Sequence, residues 1–153
     1  MQACTLTVIL PASRDAVFRL LADVEALPRW AATFCERVDL VGGRWLALTG
    51  AGELFCEVTA DDRTGVIDLR LGIDGEAPGL LPVRVLALPG GDTLVTLTLL
   101  RLPAQSDVQF HRLRQTLQQD LRKLDRRLGA EISPIERAGG TGEHTGGRSQ
   151  LTG

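Results

Sequence analysis

The hydrophobic pattern of this chain changes from a period of two to a helical period near residue 103, and this change limits what the chain can fold into. Between residues 36 and 102, apolar and polar side chains alternate with a period of two, and glycine-containing turn signals interrupt the alternation at short intervals. This pattern predicts an antiparallel run of strands with one apolar and one polar face. From residue 106 to 128 the apolar period becomes three to four, which predicts one long amphipathic helix.

The predicted helix carries signals for both of its ends. Ser106 and Gln109 form the S-x-x-Q pattern of a capping box, and Gly129 stands where a C-terminal capping glycine is expected. One stripe of apolar residues runs along the helix and should face a partner: Phe110, Leu113, Leu117, Leu121, Leu124 and Leu128.

The first third of the chain predicts a strand followed by two helices. Thr5–Leu10 alternates as a half-buried strand does, and Ser13 is a good N-cap for a first helix. Pro28 fits the first turn of a second, short helix that carries Trp30 and Phe34. The expected fold is therefore α+β in the order β-α-α-β(x6)-α, with an antiparallel sheet wrapped around the long C-terminal helix.

Length and composition favour one domain and exclude several functional classes. We expect a folded domain over residues 1–129 and a disordered, glycine-rich tail over residues 130–153. The formal net charge of −2 argues against nucleic acid as a partner, because phosphate binding needs a basic excess. No apolar run approaches the roughly 18 residues of a membrane span, and no signal peptide pattern is present, so we expect a cytoplasmic protein.

Cysteine and histidine usage predicts neither a metal site nor a cofactor. Cys4, Cys35 and Cys56 are odd in number and widely spaced, so we expect small buried apolar residues instead of disulfides or metal ligands. His111 is the one histidine of the predicted domain. No phosphate-binding glycine loop, zinc-protease motif or nucleophile elbow is present.

Two side chains remain as candidates for polar chemistry. His111 could act as a general base, or it could be a partly exposed residue in the first turn of the last helix. Arg84 lies on an apolar strand, where a guanidinium either reaches solvent or anchors an acidic ligand group. Most of the aromatic residues either fill the core or line an apolar pocket: Trp30, Phe34, Trp45, Phe55 and Phe110.

Specific stretches of the sequence resemble a known superfamily. V-F-R-L-L-A-D at Val17–Asp23, followed by L-P-R-W at Leu27–Trp30, resembles the opening of the START-like superfamily, also called SRPBCC. This group includes polyketide cyclase/dehydrase-like proteins with the helix-grip fold. D-D-R-T-G-V-I-D at Asp61–Asp68 and S-D-x-x-F at Ser106–Phe110 are similar to a small bacterial subgroup of unsettled function.

The resemblance implies a seven-stranded sheet that grips the last helix and encloses a hydrophobic cavity. By this analogy the ligand-binding residues are Trp30, Phe34, Trp45, Arg84, Phe110, Leu117 and Leu121, with Arg84 or His111 as polar anchors or catalytic groups. Catalytic members place several polar groups in the cavity, whereas this chain contains no Tyr and no Asn, which favours binding over catalysis.

Three functions remain open at this point. The first is binding of a lipid, isoprenoid or polyketide-like molecule in the cavity by a monomer or homodimer, without cofactor or metal. The second is a cyclase or dehydratase that uses His111 or Arg84. The third is a protein-interaction module without a ligand, which presents its basic helix or an exposed sheet edge.

Overall fold

The computed structural model describes residues 1–131 of the 153-residue chain. Its elements follow the predicted order. They are β1 (Ala3–Leu10), α1 (Arg14–Ala22), a short 3-10 turn (Val24–Ala26), α2 (Leu27–Trp30), β2 (Cys35–Val41), β3 (Arg44–Thr49), β4 (Gly52–Asp61), β5 (Val66–Gly72), β6 (Gly79–Ala87), β7 (Thr93–Leu100) and α3 (Asp107–Glu131). The predicted tail lies outside the described residues, apart from its first two residues, which belong to α3.

The seven strands form one antiparallel sheet in the order β1-β7-β6-β5-β4-β3-β2. Strands β2 to β7 follow one another as neighbours, and β1 adds to the far side of β7, where Thr5 lies opposite Thr98. The two sheet edges are therefore β1 and β2. Helix α3 packs along β1 and against α2. This arrangement confirms the predicted α+β helix-grip architecture.

The inner face of the sheet, defined here as the face that packs against the helices, carries a continuous apolar core. Directly paired residues of antiparallel strands have their side chains on the same face. One such row crosses four strands through Ile67, Val83, Leu97 and Leu6, each no more than 7% exposed. The opposite outer face is polar in part, because half of the intervening positions of β1 and β7 are threonines.

The turn between β4 and β5 fixes α1 against the sheet. Arg14 donates to the backbone carbonyl of Asp62 and, at 3.2 Å, to its carboxylate. Gly65 in the same turn has φ +73°, and a Cβ atom built there would lie 2.1 Å from the carbonyl oxygen of Val85. Since only glycine fits both this backbone conformation and this close approach, Gly65 is required for the junction of the turn with β6.

Helix α3 begins as predicted but ends later. The backbone N–H of Ser106 donates to Gln109 Oε1 at 2.8 Å, and the Gln109 N–H donates to Ser106 Oγ at 3.1 Å, which is the reciprocal capping box. The prediction that Gly129 ends the helix is wrong, because α3 continues to Glu131. A glycine inside a helix costs only about 1 kcal/mol relative to alanine, so it does not by itself end one.

A buried carboxylate holds α3 against the segment between α2 and β2. Asp120 is 2% exposed, and its two oxygens accept the backbone N–H groups of Thr33 and Phe34, each at 2.9 Å. Lys123 Nζ donates to Thr33 Oγ1 at 3.1 Å on the same side of the helix. These contacts fix the position of α3 relative to the start of β2.

Candidate functional site

Most of the residues predicted to line an internal cavity belong to one packed core. Trp30, Phe110, Leu117 and Leu121 are each no more than 3% exposed and lie in the same hydrophobic cluster. The other two predicted aromatic residues, Phe34 and Trp45, are half-buried and pack against this cluster. The structure therefore brings the six apolar predicted residues together in, or against, the packed core between the sheet and the helices.

The inner face is not fully covered at the β2–β3 edge. Leu40 pairs with Trp45, and Val38 pairs with Ala47, which is fully buried on the inner face. Leu40 is nevertheless 62% exposed, while Val38 and Trp45 are half-buried. We call Val38, Leu40 and Trp45 the β2–β3 patch. Because Trp45 and Val38 also contact the core, this patch extends the inner apolar surface to solvent.

Helix α3 presents half-buried residues on the side that faces the start of β2. Residues three, four and seven apart share one side of a helix, so Leu113 and Thr116 lie on the same side as Asp120. Both are half-buried, whereas Leu117 beside them is 1% exposed. This side of α3 is therefore a second margin at which the core meets solvent.

Two buried donors among the described residues have no acceptor, Trp30 Nε1 and Arg114 Nε, and that of Trp30 belongs to a core residue. Trp30 is 2% exposed, and its Nε1 has no hydrogen-bond partner among the described residues. An indole N–H left unsatisfied in a protein interior costs about 1–3 kcal/mol, so such groups are uncommon and call for an explanation. Trp30 was predicted as a cavity residue, but sequence alone does not show that its N–H lacks a partner.

Arg84 does not lie in the interior, which corrects its prediction as a polar anchor of the cavity. Its neighbours Val83 and Val85 are fully buried on the inner face, so the alternation of β6 places Arg84 on the outer face. There its Nη1 donates to Asp68 Oδ1 at 3.0 Å, and 41% of its side chain is exposed.

His111 also lies outside the core. It is exposed on α3, and its Nε2 lies 3.2 Å from Nη2 of Arg114. It borders an open groove of about 410 Å³ on the helix surface, which is also lined by Asp107, Val108, Arg112 and Gln115. The two residues predicted as catalytic candidates are therefore on the outer face of the sheet and on the exposed side of a helix.

Within residues 1–131 the buried polar side chains are Thr93 and Asp120, and both are engaged with backbone. Thr93 Oγ1 donates to the carbonyl of Ala12 at 2.7 Å, and Asp120 accepts the two N–H groups described above. The described residues contain no cluster of three or more potential metal ligands. They also contain no helix long and apolar enough to cross a membrane.

Two buried thiols lie in the core near the β2–β3 edge. Burial raises the pKa of the Cys35 thiol, and it raises the pKa of Cys56 to about 11, with a smaller contribution from the charge of Cys35. Both cysteines are free and buried, as the sequence predicted, whereas Cys4 is half-buried. Thiols with raised pKa values are poor nucleophiles near neutral pH, so they act here as small apolar residues.

A cleft on the outer face was not predicted. The loop after β5 folds over β3 and β4, and Arg44 stacks on Phe55 at 3.7 Å while donating to Asp74 at 2.6 Å. The cleft holds about 190 Å³. Phe55 belongs to this outer cleft and not to the inner face of the sheet, because it is adjacent in β4 to Cys56, which faces inward.

Solved structures share this fold, although no protein-family model and no curated protein matches the sequence. A START superfamily protein from Mycobacterium smegmatis aligns with TM-score 0.56 and 17% identity, over 80% of this chain and 98% of that one. The di-domain ARO/CYC protein BexL of the BE-7585A biosynthetic pathway aligns with TM-score 0.62 and 18% identity, over 82% of this chain and 46% of that one. The Aha1 dimer from Colwellia psychrerythraea aligns with TM-score 0.65 and 12% identity, over 84% of this chain and 96% of that one. At these identities the likeness concerns the fold alone, and by it the chain has the START-like, helix-grip fold.

Proposed function

We propose that this protein binds an apolar small molecule, such as a lipid, an isoprenoid or a polyketide-like compound, between the inner face of the sheet and α3. The observation that carries the proposal is the β2–β3 patch, an apolar part of the inner face that is continuous with the core and open to solvent. Burial of apolar surface is worth about 25 cal/mol per Å², so an apolar guest on this patch gains binding free energy.

The ligand enters past the β2–β3 patch and displaces half-buried side chains instead of fully buried ones. Phe34 and Trp45 pack at the margin of the core, and Leu113 of α3 is also half-buried. Movement of such marginal side chains disrupts less packing than movement of Leu117 or Leu121. We also propose that the protein is cytoplasmic and that it binds its ligand as a monomer or a homodimer.

Catalysis has less support than binding. The cyclase or dehydratase alternative relied on Arg84 and His111 as groups in the interior, and neither lies there. General acid–base catalysis needs a titratable group within hydrogen-bond reach of the reacting atom. The buried polar side chains of the described residues, Thr93 and Asp120, are instead engaged with backbone.

Native mass spectrometry with a matched pair of variants tests the proposal. The protein is purified without detergent, its intact mass is compared with its sequence mass, and a panel of fatty acids, isoprenoids and aromatic polyketides is titrated. Val38→Trp fills the half-buried side of the patch, and we expect at least a tenfold loss of affinity. Arg37→Trp places the same side chain on the exposed neighbouring position of β2 and should bind normally.

Three outcomes would count against small-molecule binding. The wild-type protein could bind no member of the panel and release no guest on denaturation. Val38→Trp could bind as tightly as Arg37→Trp while both remain folded by circular dichroism. A concentration-dependent dimer that Val38→Trp abolishes, in the absence of any bound compound, would assign the patch to a second copy of this chain.

A further inference from the structure

We propose that the ligand carries an uncharged oxygen acceptor, such as a ketone, ester or alcohol oxygen, that accepts a hydrogen bond from Trp30 Nε1. The proposal rests on the proposed function and specifies the chemical class of its ligand. Trp30 Nε1 is inaccessible to solvent and has no acceptor among the described residues. An indole N–H can only donate, so its partner must supply a lone pair.

The position of Trp30 places this donor at the inner end of the entry route. Trp30 closes α2, and α2 packs against both β2 and α3. Phe34 lies four residues after Trp30 and immediately before β2. It is half-buried at the margin of the core. Since Phe34 packs against the cluster that contains Trp30, we infer that a ligand that displaces Phe34 comes near Trp30.

The charges around this site favour a neutral acceptor over a carboxylate. The charged side chain buried in this region is Asp120, which is bound to the N–H groups of Thr33 and Phe34. The cations on this side of the molecule have other contacts: Lys123 donates to Thr33 Oγ1, and Arg127 donates to the carbonyl of Arg29. Arg114 of α3 is half-buried, and its Nη2 lies 3.2 Å from His111 Nε2, although its Nε has no partner among the described residues. An anionic headgroup beside Phe34 would lose its hydration and would approach the carboxylate of Asp120, which is unfavourable.

Affinities of three probes of equal chain length test the proposal: methyl nonyl ketone, undecane and undecanoic acid. They are measured on the wild-type protein, on Trp30→Phe, which removes only the N–H and the second ring, and on Trp45→Phe as the control at the other tryptophan. We expect the ratio of ketone to alkane affinity to fall about fivefold in Trp30→Phe, the equivalent of about 1 kcal/mol for one neutral hydrogen bond. Trp45 belongs to the β2–β3 patch, so Trp45→Phe should lower the ketone and alkane affinities together and leave their ratio unchanged. The acid should bind the wild-type protein more weakly than the ketone.

The outcomes separate this proposal from the proposed function. If the alkane binds but the ketone-to-alkane ratio is the same in Trp30→Phe and wild type, the hydrogen bond is refuted and apolar binding stands. If no probe binds the wild-type protein, both proposals are refuted for this ligand class. Tighter binding of the acid than of the ketone would refute the neutral acceptor.

A second measurement applies if Trp30→Phe does not fold. The wild-type protein has two tryptophans and so two indole N–H resonances, which Trp45→Phe assigns. The proposal expects the Trp30 resonance to move downfield when the ketone is added and to move less with the alkane. Equal shifts with ketone and alkane would overturn it.

Discussion

Replacement of Asp120 by Asn should weaken the contact between α3 and the segment that joins α2 to β2. Each carboxylate oxygen accepts one backbone N–H, from Thr33 and from Phe34, at 2.9 Å. The amide keeps one acceptor oxygen but turns an NH2 group toward the other N–H. A hydrogen bond to a charged group is worth about 1.5–3 kcal/mol, and one of the two is lost. The NH2 group of Asn and the backbone N–H that it faces are both donors, so their contact is a further cost. We therefore expect Asp120→Asn to lower the free energy of unfolding by about 2–4 kcal/mol.

Urea denaturation followed by circular dichroism measures this change, and a thermal scan should show a drop of about 6–12 °C. Asp120→Ala removes both acceptors and should be less stable than Asp120→Asn. Asp125→Asn makes the same chemical change at a half-buried position of α3 and should stay within about 0.5 kcal/mol of wild type. If Asp120→Asn is as stable as Asp125→Asn, the two backbone contacts do not hold α3 in place.

Two further predictions concern a thiol and a glycine. Burial raises the pKa of Cys56 from about 9 to about 11, so the folded protein holds this proton more tightly than the unfolded chain. The stability due to this thiol is complete below about pH 9 and is lost between about pH 9 and 11, by about 2–3 kcal/mol, and Cys56→Ala should flatten this loss in urea titrations. A wild-type protein with the same pH dependence as Cys56→Ala would contradict the burial of the thiol. Gly65→Ala should cost about 2–4 kcal/mol, because its Cβ meets the carbonyl of Val85, whereas Gly43→Ala has a similar φ of +78° but open space and should cost about 1 kcal/mol. Equal melting temperatures for the two alanine variants would show that contact between the new Cβ and the carbonyl of Val85 does not destabilise the protein.

The elements of this fold could be predicted because their signals are local. Ser106 and Gln109 specify a helix start through contacts within one turn, and the structure contains both hydrogen bonds. The alternation of Ile67, Leu69 and Leu71 likewise predicts which face of β5 is apolar. Such patterns depend on neighbouring residues alone, so they can be identified before the partners are known.

The position of the candidate site could be predicted only in part. Strand β6 is apolar at nearly every position, so its pattern does not show whether Arg84 or Val83 points inward, and only the register with β5 and β7 decides this. The exposure of Leu40 depends on how far α3 covers the sheet, which is a long-range property. The missing acceptor of Trp30 depends on several elements at once, and no sequence pattern reports it.

The pairing of β1 with β7 controls the order in which this chain can fold during synthesis. Thr5 and Thr98 lie directly opposite each other, so the first strand made must wait for nearly the last before it is paired. Until then β1 is an unpaired apolar segment that can pair with other chains. Contacts of such long sequence separation slow folding, typically to milliseconds or seconds. A ribosome-bound chain that stops before β7 therefore cannot complete its sheet, and β1 stays without its partner strand until β7 has been made.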